Sequence, residues 1–299
     1  MKSKHKPILL AAALLLGATA AHAQTESRYY RPLALAPADE PASGGGAGGH
    51  EQGDLAKAAQ NPVADMMSFP FQNQFNFGFG PDKVLLYLME FEPVIPLHLS
   101  EDWNLITRTI IPVINVPSPA PGLQSAFGLG DISPTLFLSP AKPHKFTWGL
   151  GPVMTFPTAT DSVLGSGKWT AGPSAVGLVM PGHWVIGALV SQQWSFAGWG
   201  DNGVSSFLVE PFINYNLSNH WYLTTSPIIT ANWKASGDDR WTLPLGGGVG
   251  KIIKLGGKLP VNVQLSAYAN VVKPDFGPDW QLRFQFSFLF PSGAKKKEK

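Results

Sequence analysis

Glu90, Glu92, Arg108, Asp131, Glu210 and Arg283 draw attention because each lies in or beside a segment otherwise dominated by Val, Ile, Leu, Phe and Trp. Opposite charges set this sparsely among apolar residues suit one of two jobs. They can pair and stiffen an enclosed space, or they can form an eyelet that sorts solutes by charge and size. Histidine offers a second chemistry, since a Ser–His pair would allow acyl hydrolysis if base and nucleophile came within hydrogen-bond reach. His98, His144, His183 and His220, however, all fall at or beside expected turns, where polar side chains are usually only solvated. The spacing is too dispersed for a metal site of the HExxH kind. GSGKWT at 165–170 lacks the GxxxxGK[ST] spacing of a phosphate loop, so no cofactor is expected. GGGVG at 246–250 opens no helix and reads as close backbone approach, a bend or a bulge in a strand.

The elements that must carry these residues are strands. From Ser68 onward, segments of about ten residues alternate with Gly/Pro/Asp/Asn/Ser breaks. About twelve can be drawn: 68–79, 84–97, 103–116, 131–139, 145–157, 170–180, 184–196, 204–217, 220–234, 241–254, 259–272 and 280–290. Period-two alternation is clear in several. In DWQLRFQFSFLFP, Trp280, Leu282, Phe284, Phe286 and Phe288 alternate with Gln281, Arg283, Gln285 and Ser287. Val261, Val263, Leu265, Ala267, Ala269 and Val271 likewise oppose Asn262, Gln264, Ser266, Tyr268 and Asn270. Successive strand side chains point to opposite sides, so each segment has one apolar and one polar face.

Alternation does not say which face is outside, since a soluble β-sandwich alternates in the same way. Composition separates the cases. Charged residues make up 14% of the chain, against roughly 25% in an average soluble domain. The polar face is mostly Gln, Asn, Ser, Thr and Gly, which suits an enclosed interior better than a water-facing exterior. Trp103, Trp148, Trp184, Trp194, Trp221, Trp233, Trp241 and Trp280 fall near segment ends, where interfacial aromatic girdles lie. Residues 169–200 carry no Asp, Glu, Lys or Arg, but Pro173 and Pro181-Gly182 exclude a spanning helix. In lipid, strands imply a ring with no free edge. The fold expected is therefore all-β: a transmembrane antiparallel β-barrel of about twelve strands. Its polar positions make Glu90, Glu92, Arg108, Asp131, Glu210 and Arg283 the lumen-lining candidates.

Loop lengths agree with such a barrel. Breaks after even segments are short (LSED, PGH, SNH), and breaks after odd segments are generally longer, GPDK at 80–83 excepted. Residues 1–23 read as a secretory signal, with Lys2, Lys4 and Lys6 before an apolar run and Ala21-His22-Ala23 at the cleavage site. Its removal would turn the formal charge from +2 to −1. Residues 24–67 read as a flexible periplasmic leader with a short helical segment after Asp54, and 292–299 as a basic tail. Cysteine is absent, and neither basic stripe nor location favours nucleic acid. The partners expected are the outer-membrane bilayer, the barrel-assembly machinery and a small-molecule permeant.

The stretches NPVADMMSFPFQNQFNFGFG, EDWNLITRTIIPV, FGLGDISPTLFLSP, LGSGKWTAGPSAV, PFINYNLSNHWYLTTSPIITANW and DWQLRFQFSFLFP carry a resemblance over roughly 54–291. The chain resembles a family of outer-membrane barrels of Gram-negative bacteria that is linked by name to the meta-pathway of phenol degradation and often mislabelled neuromedin U. The resemblance implies an outer-membrane location and a porin-like role in transport, with aromatic or hydrophobic permeants suggested by that name alone. It transfers no functional residues. One departure is that PSGAKKKEK follows Phe290, so the terminal aromatic on which assembly would rely is not the last residue. Two other roles are open on the sequence: an outer-membrane lipid-modifying enzyme, and a structural or adhesive barrel acting through its loops.

Overall fold

The computed structural model describes residues 55–291 apart from 119–121, 123 and 143. The expected signal peptide, the leader up to 54 and the basic tail lie outside the described residues. The strands are β1 (Met66–Phe79), β2 (Val84–Phe91), β3 (Val94–His98), β4 (Trp103–Val116), β5 (Ala126–Leu129), β6 (Ser133–Pro140), β7 (Phe146–Thr155), β8 (Lys168–Val179), β9 (Trp184–Gly198), β10 (Ser205–Asn216), β11 (Trp221–Thr225), β12 (Ile229–Asn232), β13 (Trp241–Leu255), β14 (Leu259–Val272) and β15 (Trp280–Pro291).

These fifteen strands make twelve crossings of one sheet. β2 and β3 form one crossing interrupted at Glu92-Pro93, and β11 and β12 form another interrupted at 226–228. β5 is a short outer piece paired with the end of β4. All pairings are antiparallel, and the ring closes where β1 pairs with β15 from Met66↔Pro291 to Phe77↔Trp280. The result is a closed twelve-stranded barrel, in which every wall strand has a neighbour on both sides.

Both interruptions coincide with proline, which cannot donate to the ladder. At the first, the register survives: Phe71 faces Phe91 and Ser68 faces Val94, with the Glu92 amide donating to the Pro70 carbonyl at 2.9 Å. Glu92 therefore keeps the inward direction of Glu90 and Val94. At the second, Pro227 follows Ser226, whose backbone groups leave the ladder and turn to side chains of the interior.

The faces are inverted relative to a soluble protein. Leu245 and Leu265 are 54% and 47% exposed on the outside, while Gln74 and Arg283 are 2% and 1% exposed inside. The aromatic ladder of β15 packs sideways along this outer face: Phe71 stacks on Phe91 at 4.6 Å and on Phe286 at 5.0 Å. Tryptophans gather at both rims. Trp103, Trp148, Trp184 and Trp221 lie at the end with short turns, and Trp194, Trp233, Trp241 and Trp280 lie toward the other. Side contacts join them, such as Trp103 with Trp148 and Phe77 with Trp280. The end with short turns is the periplasmic one by the rule for such barrels.

Cationic substitution on the outer face should be costly because hydrocarbon cannot solvate it. Leu265→Arg, midway along β14, is expected to destabilise the barrel by about 2–4 kcal/mol in reversible urea unfolding from lipid vesicles. An unchanged midpoint would place this face in water.

Candidate functional site

The lumen is filled in three levels. At the periplasmic mouth, residues 55–65 enter the barrel, with a helical turn at 55–59. Ala56 packs with Met66, Ile252 and Leu289. Val63, 5% exposed, joins a core with Val94, Ile106, Phe137, Val176 and Phe212, which come from five different crossings of the wall. Gln60 and Asn216 exchange amide hydrogen bonds of 2.9 and 3.2 Å. His98 lies beside Asp65 at 3.5 Å and bonds Asn104 at 2.9 Å. This segment is a plug, and it belongs to the stretch read from the sequence as a flexible leader.

Above the plug, inward residues follow one row of sheet partners around half the wall: Tyr222, Gly250, Gln264, Gln285, Gln72 and Glu90. Gly250 is small because the Tyr222 ring lies over it, where any Cβ would collide. The Tyr222 hydroxyl contacts Asn262 Oδ1 at 2.9 Å and Gln264 Oε1 at 3.1 Å. Glu90 accepts from Gln72 at 2.9 Å and from Gln74 through the same oxygen, while its Oε1 is buried without a hydrogen-bond partner. The other half of the wall presents Ile106, Phe137, Leu189, Leu208 and Phe212. The interior is thus amphipathic across its width.

Five of the six charges expected in the lumen meet at this level. Arg108 pairs with Glu92 at 3.0 Å, both side chains being about one-tenth exposed, and Glu210 and Glu90 also act on its guanidinium. Four crossings lie between β4 and β10, so Arg108 answers Glu210 across the lumen. Arg283 lies within electrostatic reach of Glu90, donates to the Ser226 carbonyl at 3.0 Å and sits 4.8 Å from the Tyr268 ring centre. The Tyr268 hydroxyl in turn accepts the Ser226 amide at 3.0 Å. Arg283 and Tyr268 together replace the sheet partners that Ser226 loses at the break.

Asp131, the sixth charge, is elsewhere. It lies at the outer rim before β6 and accepts from the Ser166 amide at 2.6 Å, the Ser166 hydroxyl at 3.0 Å and the Ala159 amide at 3.2 Å. Burial pushes its carboxyl above the ordinary aspartate range, and these bonds pull the other way. It latches the loop between β7 and β8, whose Leu164 is fully buried with Phe79, Leu86, Leu88 and Ile114 under the outer mouth. At the same rim Asp279 is held below its usual range by Lys273 and Lys83, at 3.0 and 3.1 Å.

Tyr222, Tyr268 and Ser226 are not among the lumen-lining candidates drawn from the sequence, which leaves open whether the leader plugs the lumen. A tyrosine on the polar side of an alternating strand, as both are, is the signal that was available for the first two. His183 packs its ring near Tyr215, 5.9 Å between centres. Among the described residues no group of His, Asp and Glu has the arrangement of a metal site.

This fold is that of the outer-membrane β-barrels. Among solved structures the chain is similar to an outer membrane channel from Pseudomonas putida F1, with 16% identity, a TM-score of 0.56, and coverage of 75% of this chain and 94% of that one. Weaker similarities include the outer membrane phospholipase A from Escherichia coli (12% identity, TM-score 0.38, 77% and 98% covered) and a FadL homologue from Pseudomonas aeruginosa (9% identity, TM-score 0.37, 79% and 92% covered). No family model and no curated protein sequence matches the chain.

Arg283 is the residue on which the belt turns. Its replacement strands the Ser226 carbonyl and removes one of the two cations within electrostatic reach of Glu90, and removing one partner of a buried charge pair typically costs about 3–5 kcal/mol. Arg283→Met should lower unfolding stability in vesicles by that amount, and a loss under about 1 kcal/mol, the scale of an ordinary hydrogen bond, would show the contacts to be incidental.

Proposed function

We propose that the protein passes small molecules across the outer membrane through its lumen, with residues 55–65 closing the periplasmic side and the loop between β7 and β8 narrowing the outer side. The observation that carries this reading is an internal cavity of about 160 Å³ directly behind the plug, lined by Gln60, Met66, Gln72, Glu92, Arg108 and Phe212 among others. A wall built only for stability would have no reason to leave this space between a polar belt and a separable segment. Twelve strands suit the role: eight leave an interior that side chains fill, and sixteen leave an aqueous channel. The similarity to an outer membrane channel supports the reading, as does the resemblance to barrels linked by name to phenol degradation. The apolar half of the lumen, with Leu189, Phe212 and Ile228 at the cavity, favours permeants that carry an apolar part.

Planar-bilayer recording and liposome swelling test the proposal directly. Deleting 55–65 while retaining β1 should raise conductance and solute flux several-fold over the full chain, with the barrel still heat-modifiable on gels. A folded deletion variant as silent as its parent to ions and to solutes would remove the permeation reading.

A further inference from the structure

The cavity has a charge as well as a size. The charges that line the cavity are Glu92 and Glu210 against Arg108, an excess of one negative charge, and Arg283 lies outside its lining. Lys168 and Asp131 at the outer rim are one of each sign and do not alter the sum. Both guanidiniums are already committed. Arg108 lies between Glu92 and Glu210, and Arg283 serves the Ser226 carbonyl, the Gln281 amide oxygen at 3.3 Å and the Tyr268 ring. The acidic side is less well served, because Glu92 and Glu210 share Arg108. A buried negative excess in a low-dielectric interior is unfavourable until a positive charge joins it.

Beside the carboxylates stand Leu189, Phe212, Val94 and Ile228, all lining the same cavity. A volume of about 150 Å³ lined by apolar side chains is enough for one benzene-sized ring, and here the volume is about 160 Å³.

We propose that this cavity binds compact organic cations, in which an ammonium group addresses Glu92 and Glu210 and an apolar body of about one ring lies against Leu189 and Phe212. The proposal deepens the permeation reading by naming the class of solute that pauses in the lumen, and it rests on that reading for its biological sense, though not for its test.

The test uses the full chain refolded in detergent and three probes that share a ring and differ in charge: benzylammonium, benzyl alcohol and benzoate. Calorimetric titration should rank them in that order, with the ammonium about tenfold tighter than the alcohol, as expected when a charge-assisted hydrogen bond replaces a neutral one. Phe212→Ala should weaken ammonium and alcohol together. Glu92→Gln combined with Glu210→Gln turns the excess from −1 to +1 and should move benzoate ahead of benzylammonium. The wild-type ranking decides the matter even if the double variant does not fold. Equal binding of alcohol and ammonium would mean that protons already neutralise the belt, and would overturn the proposal. Benzoate binding best, or no binding of any probe at millimolar concentration, would overturn it as well. Bilayer recordings on the same sample separate the two readings: conductance without ammonium preference defeats this inference alone, and ammonium binding in a silent barrel defeats permeation alone.

Discussion

Everything in this structure follows from the need to pair backbone N–H and C=O groups where no water is available. In hydrocarbon an unpaired peptide group costs several kcal/mol, so strands can cross only as a ring. The β1–β15 seam, twelve residues on each side in unbroken register, is where that requirement is met for the chain as a whole. Once the ring is closed, the alternation of side chains has a single favourable sense. Phenylalanine and leucine go outward, and the glutamines, asparagines and serines that a soluble protein would show to water go inward.

The same requirement explains the most connected polar group in the interior. Proline at 227 interrupts the ladder, and Ser226 is left with a donor and an acceptor that the sheet does not satisfy. The Tyr268 hydroxyl takes the first and Arg283 takes the second. A lumen charge is thereby tied to wall integrity, and its counter-charge Glu90 is tied to the row of amides beside it. Stability and solute chemistry share residues here. Such sharing limits how far the belt can vary without loosening the wall, because a half-satisfied buried network is worse than an apolar one.

The barrel itself was legible because lipid imposes a period of two over whole strands and suppresses charge everywhere outside. Segment limits drawn from Gly and Pro breaks came within a few residues of the strands for most crossings. The crossing 84–97 was read as one segment although Pro93 divides it, and its register passes through the proline unbroken. The inward direction of Glu90, Glu92 and Arg283 could be read from alternation, but their meeting could not. Glu92 and Arg108 are neighbours only because β3 pairs with β4, and Glu210 joins them only because the sheet curls until β10 faces β4. Asp131 shows the limit of the period: it precedes the strand to which alternation assigned it, and its partners Ser166 and Ala159 come from a loop that carries no periodic signal. The plug was hidden for a related reason. Val63 stands in an alanine-rich stretch between Asn61 and Asp65 with no strand or helix period, and nothing local marks it as the centre of a core drawn from five crossings.

The plug's position also says how firmly it must be held. It is continuous with β1, so the segment that fills the periplasmic mouth is tethered at Met66 with no intervening linker. A tethered group acts at an effective concentration set by its tether, in the millimolar range for short flexible connections and higher for stiff ones. Weak contacts are then sufficient to keep the mouth filled, among them one buried valine, one buried alanine, a reciprocal pair of amide hydrogen bonds and the Asp65–His98 contact. Fully burying a valine contributes about 1.5–3 kcal/mol and an ordinary hydrogen bond about 1 kcal/mol. Contacts of that size can be exchanged for those of a solute entering the adjacent cavity, whereas a plug bound as strongly as the wall could leave only when the barrel itself opened.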